Sequence, residues 1–307
     1  MPDRMMFVVN PTSSNGKTGR RWPEIKNILD TRGLDYDFRW TGGPWEAAEI
    51  TRDSLKGDFN VVVAVGGDGT LNEVVNGFFL VDEETRSRGS LGVISMGTGS
   101  DFIRTAGIPK DLQGAVTRLE KGGRSLLDVG LARFSRPDGS RGERYFLNVA
   151  DVGLGGETAL RVNHTSKALG GFLSFLWGVI VSIFLYKNKE MTLVIDEEVT
   201  WQGRYVTVAM GNGRFFGGGM KIAPQAMLAD GLLDVTILPD FSKPMLLRSL
   251  PKVYSGRHLE IEGVKYTRGK KISLSSPELV LLEVDGEMPG QLPVEVEVLP
   301  LALRVIT

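Results

Sequence analysis

Cysteine is absent from the 307 residues, which excludes disulfides and thiolate metal sites and fits a cytosolic protein. Histidine is nearly absent too. His164 and His258 stand far apart and match no metal-ligand spacing, so each is assigned a surface or packing role. Neither sign of charge dominates: 36 Lys and Arg against 37 Asp and Glu leave a net charge of −1, and no broad nucleic-acid surface is expected. The N-terminus lacks a basic segment followed by a long apolar run and a small-residue cleavage site, so no signal peptide is expected.

The length suits two domains. In the first third, short apolar runs alternate with helical patterns. Met5–Val9, Tyr36–Phe38, Val61–Val65 and Leu91–Ser95 read as strands, while Gly19–Arg32, Glu46–Leu55 and Leu71–Phe79 carry helical periodicity. That alternation predicts an α/β domain over residues 1–127, a doubly wound and mostly parallel sheet with its ligand at the carboxyl ends of the strands. From Asp128 strand-like runs follow one another, among them Tyr145–Ala150, Tyr205–Met210, Leu259–Tyr266 and Leu279–Val284. Residues 128–293 are therefore expected to form a β-rich domain, antiparallel and sandwich-like, interrupted by helices near Ser166–Tyr186 and Lys243–Tyr254. Residues 294–307 are expected to return to the first domain.

Chemistry concentrates in Gly66-Gly67-Asp68-Gly69-Thr70-Leu71-Asn72-Glu73, between an apolar strand and a helix. Glycines let a backbone approach phosphates closely, and a helix N-terminus favours negative charge. Asp68 has the oxygen chemistry for magnesium, directly or through water, whereas Thr70 also fits a plain helix cap. Two familiar motifs fail on spacing. Gly16-Lys17-Thr18 imitates the end of a P-loop, but its first glycine would fall at Pro11; Gly97-Thr98-Gly99 starts a dinucleotide fingerprint whose third glycine would fall at Phe102. From the residues alone, Val284-Asp285-Gly286-Glu287 reads as a hairpin turn and Asp230 as a turn aspartate.

Asn10-Pro11-Thr12-Ser13-Ser14, the Gly66–Glu73 octapeptide and Gly97–Phe102 together resemble the diacylglycerol kinase catalytic-domain family, most closely its bacterial soluble lipid kinase branch. Later segments continue the likeness in the same order: Gly211-Asn212-Gly213 with Gly217-Gly218-Gly219, Asp230-Gly231-Leu232-Leu233-Asp234, and Val284–Glu287. The resemblance implies that Asn10, Pro11, Thr12, Ser13, Ser14, Thr41, Gly66, Gly67, Asp68, Gly69, Thr70, Leu71, Asn72 and Thr98 contact ATP. It implies that Lys17 and Asp68 act near the phosphates, with Asp101 and Asp128 supporting the charge network. Met227, Asp230 and Leu232 would form a structural Mg2+ site, two of them through carbonyls, and Asp285 and Glu287 would activate the acceptor hydroxyl. Ser100 departs from the family's usual asparagine, which bears on phosphate geometry or acceptor choice.

The function so implied is ATP-dependent phosphorylation of a lipid hydroxyl, on diacylglycerol, a sphingoid base or a phosphatidylglycerol-like acceptor, with ATP and acceptor meeting in a cleft. The alternatives are an NAD kinase-like phosphotransferase and a non-catalytic lipid-binding protein of the same fold. Ala168–Tyr186 carries no charged residue. It admits three readings: a membrane span, a plain core helix, or a helical lip that meets acyl chains. A peripheral membrane contact from the cytoplasm follows from the last, and a homodimer is compatible with the sequence.

Overall fold

The computed structural model describes residues 3–164 and 171–307, leaving out the side chains of 163–175 and 199–200. The side chains of His164 and Phe175 and the segment from Lys167 to Gly170 therefore lie outside the described residues. The chain divides into two compact units, one running to Leu127 and including Leu301–Thr307, the other Asp128–Pro300.

The first unit alternates strands and helices in the order β1 (Arg4–Val9), α1 (Ser13–Thr31), β2 (Asp35–Trp40), α2 (Glu46–Lys56), β3 (Val61–Gly66), α3 (Asp68–Phe78), α4 (Glu83–Arg88), β4 (Ser90–Ser95), α5 (Asp101–Ala106) and α6 (Leu112–Lys121). β2, β1, β3 and β4 pair side by side and parallel, and Val305 near the C-terminus pairs parallel with Leu91 of β4. Every residue of β3 is buried because helices cover both faces. On one face Trp22, Ile25 and Leu29 of α1, with Leu112, Val116 and Leu119 of α6, pack on Phe7, Val9, Val63 and Val65. Helix α1 starts earlier than periodicity suggests, but Ser14, Asn15 and Gly16 are left-handed, so regular helix begins at Lys17. The short helices α4, α5 and α6 carried no sequence expectation.

The second unit contains β5 (Arg124–Ser135, entering it at Asp128), β6 (Arg141–Phe146), β7 (Val149–Gly153), α7 (Leu154–His164), α8 (Gly171–Leu185), β8 (Lys189–Ile195), β9 (Glu198–Gly211), β10 (Leu233–Pro239), α9 (Lys243–Ser255), β11 (Lys265–Gly269), β12 (Lys271–Ser275), β13 (Leu281–Val284) and β14 (Glu287–Ile306, leaving it after Pro300). Antiparallel pairing runs β9–β7–β13–β14–β12–β8 and back to β9. The circuit is closed. The unit is β-rich as expected, but its strands form a barrel instead of two sheets with separate edges. Alternate residues such as Ala150, Val152, Val208, Met210, Leu282, Val284, Val294 and Val296 fill its interior.

Two strand readings change. Tyr145–Ala150 is broken at Leu147-Asn148, and Leu259–Tyr266 runs from the end of a 3-10 turn (Arg257–Glu260) through a bend and turn before β11 begins at Lys265. No helix among the described residues is long and apolar enough to cross a membrane. His258 is buried with Nε2 against the Ile222 carbonyl at 3.1 Å, a packing role, and burial lowers its pKa.

Gly77 tests how tightly α3 docks on α2. A Cβ there would lie 2.5 Å from the Thr51 Cβ and 2.6 Å from the Ala48 carbonyl oxygen. Alanine gains about 1 kcal/mol in helix propensity, but backbone cannot yield cheaply and overpacking costs about 1–3 kcal/mol. Gly77→Ala should therefore lower the denaturation midpoint; a rise would mean that the α2–α3 contact is looser than described.

Candidate functional site

Three loops of the first unit, following β1, β3 and β4, leave the carboxyl ends of adjacent parallel strands. The loop after β3 turns into α3 at Gly67, and a Cβ on Gly66 would sit 2.5 Å from the Thr70 hydroxyl. The loop after β4 approaches just as closely, since a Cβ on Gly97 would fall 2.9 Å from the Gly67 Cα. Only glycine permits that backbone-on-backbone contact.

Side chains lock the same loops together. Asn10 Nδ2 donates to Thr70 Oγ1 at 3.0 Å, while Asn10 Oδ1 accepts from the Thr12 and Ser13 amides at 3.1 and 3.2 Å. Ser14 Oγ donates to the Met96 carbonyl at 2.5 Å. Left-handed Ser14, Asn15 and Gly16 then carry the chain tightly into the regular part of α1. Lys17 is exposed one residue past this turn, Thr41 is buried with its amide on the Val9 carbonyl at 2.9 Å, and Thr98 is exposed.

Asp68 heads α3, yet its carboxylate serves the next loop. Oδ2 accepts from the Ser100 amide at 3.0 Å and Oδ1 from the Asp101 amide at 3.2 Å, so the acid caps α5. Burial raises its pKa and those amides pull it back. A cation on Asp68 would have to share the carboxylate with both donors. Ser100 is buried and left-handed, with its hydroxyl donating to the Gly97 carbonyl at 3.0 Å. Leu71 is largely buried, and the buried Asn72 accepts from Asn76 Nδ2 at 3.2 Å through its side chain.

A second network spans four motifs of the other unit. Asp128 Oδ2 accepts from the Gly231 amide at 2.7 Å. Asn212 Nδ2 donates to the carbonyls of Asp128 at 3.1 Å and Leu147 at 2.9 Å. Asp285 takes the Leu147 amide on Oδ2 at 3.0 Å and the Asn148 and Val149 amides on Oδ1 at 3.0 and 3.2 Å. Both oxygens of Asp285 are thus engaged by backbone amides, an arrangement that anchors the turn. Glu287, two residues on, is exposed where β14 begins.

Among the described residues, no group of three His, Cys, Asp or Glu side chains is arranged to hold a metal. The magnesium site implied by the resemblance would combine one carboxylate with the carbonyls of Met227 and Leu232. Asp230 fits such a role. Its Oδ1 accepts from the Leu232 amide at 3.2 Å, while the enclosed Oδ2 accepts no hydrogen bond and lies 3.7 Å from Arg268 Nη1.

Residues 4–132 match the diacylglycerol kinase catalytic domain, and residues 148–307 match the YegS C-terminal NAD kinase beta sandwich-like domain. The chain belongs to the bacterial lipid kinases of the diacylglycerol kinase catalytic-domain family. It is 29% identical over 293 residues to a diacylglycerol kinase of Staphylococcus saprophyticus, covering 95% of this chain and 92% of the relative. It is 28% identical over 306 residues to a protein of Xanthomonas campestris named "Probable lipid kinase YegS-like", covering 99% and 96%. A crystal structure of a diacylglycerol kinase from Bacillus anthracis shares the fold with a TM-score of 0.71 at 20% identity, over 99% of this chain and 96% of that one.

Within this lipid kinase the two acids of the late turn should separate by stability. Asp285→Ala leaves three amides without their acceptor, at a cost of about 3 kcal/mol. Glu287→Gln should leave the thermal midpoint unchanged. Equal midpoints for both variants would contradict the anchoring role of Asp285.

Proposed function

We propose that this lipid kinase transfers the γ-phosphoryl group of ATP to a lipid hydroxyl, with diacylglycerol, a sphingoid base or a phosphatidylglycerol-like lipid as acceptor. The observation that carries the reading is the glycine-lined junction of Gly66-Gly67 with Gly97 at the carboxyl ends of β3 and β4, in a chain matched by both family domains.

In this mechanism the Gly66 to Thr70 loop receives the nucleotide's phosphates at the positive end of α3, with Ser13 and Ser14 beside it. Lys17 adds a mobile positive charge, and Asp68 keeps the Gly97–Asp101 loop in place. Thr41 and Thr98 lie on adjoining loops for the rest of the nucleotide, and Asp101 and Asp128 support the charge arrangement. Asp230 and the carbonyls of Met227 and Leu232 would hold a magnesium ion, which supplies positive charge and fixes their loop. Glu287 accepts the proton of the acceptor hydroxyl as its oxygen bonds to the γ-phosphorus; the bond from that phosphorus to the β,γ-bridging oxygen breaks, and ADP departs.

The substrate is greasy, so the protein needs an apolar surface. Helix α8 is one-sided: Val179, Ser182 and Ile183 are buried, while Trp177 is 61%, Phe184 52% and Leu185 60% exposed. We assign this face to peripheral membrane contact.

The test supplies labelled ATP, magnesium and a total lipid extract, with NAD as a separate acceptor. Labelled lipid is expected; label on NAD alone would favour the NAD kinase-like reading, and lipid binding without ADP release would favour a non-catalytic protein. Glu287→Gln should lower lipid phosphorylation by about 100-fold or more while ATP binding persists, and full turnover would remove Glu287 from the mechanism.

Replacing Trp177 and Phe184 with Ser should weaken co-sedimentation with phospholipid vesicles and leave nucleotide titration unchanged. Equal losses in both measurements would count against a membrane face on α8.

A further inference from the structure

Asp151 on β7 and Glu283 on β13 are direct register partners. Their chain neighbours Ala150, Val152, Leu282 and Val284 point into the barrel, so both carboxyl groups point to the opposite face. Helix α7 covers that face so closely that a Cβ on Gly155 would lie 1.9 Å from Asp151 Oδ2. Asp151 is 1% exposed and Glu283 4%. Neither oxygen of Asp151 accepts a hydrogen bond of normal geometry, although the Gly156 amide lies within electrostatic reach. Glu283 Oε1 accepts from the Gly286 amide, whereas its Oε2 has no hydrogen-bond partner.

Among the described residues, the groups around the pair do not neutralise two charges. The late turn contributes Asp285 and Glu287, and Tyr186 follows α8 with a phenol that is no cation. Helix α7 contributes Glu157 and Arg161, which pair with each other at 2.9 Å. On β9, the residue opposite Asp151 is Ala209. Opposed carboxylates about 5 Å apart would repel by about 3 kcal/mol at an effective dielectric constant near 20. Retaining one proton removes that repulsion and lets one acid donate to the other. Burial pushes Asp151 up to about 7, and Glu283 is raised well above the usual carboxylate range by burial and then by Asp151.

We propose that Asp151 and Glu283 share one proton, and that this pair positions the turn carrying Glu287. Glu283 holds the proton on Oε2 and donates it to the Asp151 carboxylate. Its Oε1 then acts as a carbonyl acceptor for the amide of Gly286, which stands between Asp285 and Glu287. Asp285 fixes one side of the turn through Leu147, Asn148 and Val149; Glu283 fixes the other. Glu283 is a positioning residue and touches no substrate. The catalytic consequence rests on the lipid kinase mechanism proposed above, while the shared proton and the held amide do not.

The test compares Glu283→Gln, Glu283→Ala and Asp151→Asn in the full chain, with two readouts. The first is kcat and KM for lipid phosphorylation from neutral to alkaline pH. The second is amide hydrogen exchange across residues 284–288, which needs no turnover. Glutamine retains a carbonyl for Gly286 and an N–H for Asp151, so it stands in for the protonated acid. Glu283→Ala should lower kcat by about tenfold with the KM for ATP unchanged, and speed exchange at Gly286. Glu283→Gln should recover most of both losses. Wild-type kcat should fall as rising pH removes the shared proton, whereas Glu283→Gln should lack that alkaline limb. Asp151→Asn should shift the limb to lower pH, because Glu283 keeps the effect of burial but loses the raising effect of Asp151.

Unchanged exchange and unchanged kcat in Glu283→Ala would overturn the positioning role. A Glu283→Gln variant as impaired as Glu283→Ala, or one that keeps the alkaline limb, would overturn the shared proton. If no variant and no wild-type protein phosphorylates any lipid, the mechanism above fails by itself and the exchange pattern still decides this proposal.

Discussion

Backbone that leaves a strand to form a binding loop carries amides with no strand partner, and each amide needs an acceptor. Both networks meet this constraint with a carboxylate. Asp68 receives the amides of Ser100 and Asp101, and Asp285 those of Leu147, Asn148 and Val149. An ionised acceptor makes stronger hydrogen bonds than a neutral one, and one acid can tie together loops distant in sequence. The same bonds occupy the oxygens of these acids. In the late turn Asp285 is engaged in this way, and Glu287, to which the proposed mechanism gives the chemistry, is exposed.

Much of the architecture was legible because it is local. The β-branched run at Val61–Val65 and the glycines after it state a buried strand and a phosphate-sized turn within a few residues. Helices α2 and α9 appear close to their expected bounds because their apolar spacing is regular. Closure of the barrel could not be read, since pairing partners such as β8 and β12 are joined only in space. The role of Asp285 was hidden for the same reason: its partners lie 136–138 residues away, while its own neighbourhood reads as an ordinary turn. The burial of Leu71 and Asn72 was equally hidden by their membership of a motif. Once α3 begins at Asp68, helical geometry carries both side chains into the interior.

Asp151 and Glu283 illustrate a different limit. In sequence each interrupts a run of apolar strand residues, as any solvent-facing position would. Only the cover supplied by α7 turns a routine alternation into two enclosed acids. A glycine at 155 then becomes a packing requirement, because the carboxylate occupies the space a side chain would fill.

Enclosed carboxyl groups without full hydrogen bonding oppose folding, and well-packed apolar residues at the same positions would avoid the desolvation cost. The stability of the barrel does not require them, since Ala150, Val152, Leu282 and Val284 already supply the buried apolar contacts of these strands. What the pair adds is direction. A methyl group cannot accept the Gly286 amide, and a fully ionised pair would repel itself. One proton between two acids satisfies both demands and leaves an acceptor aimed at the turn. A local departure from good core chemistry is then most intelligible at the place where the backbone must be held for function.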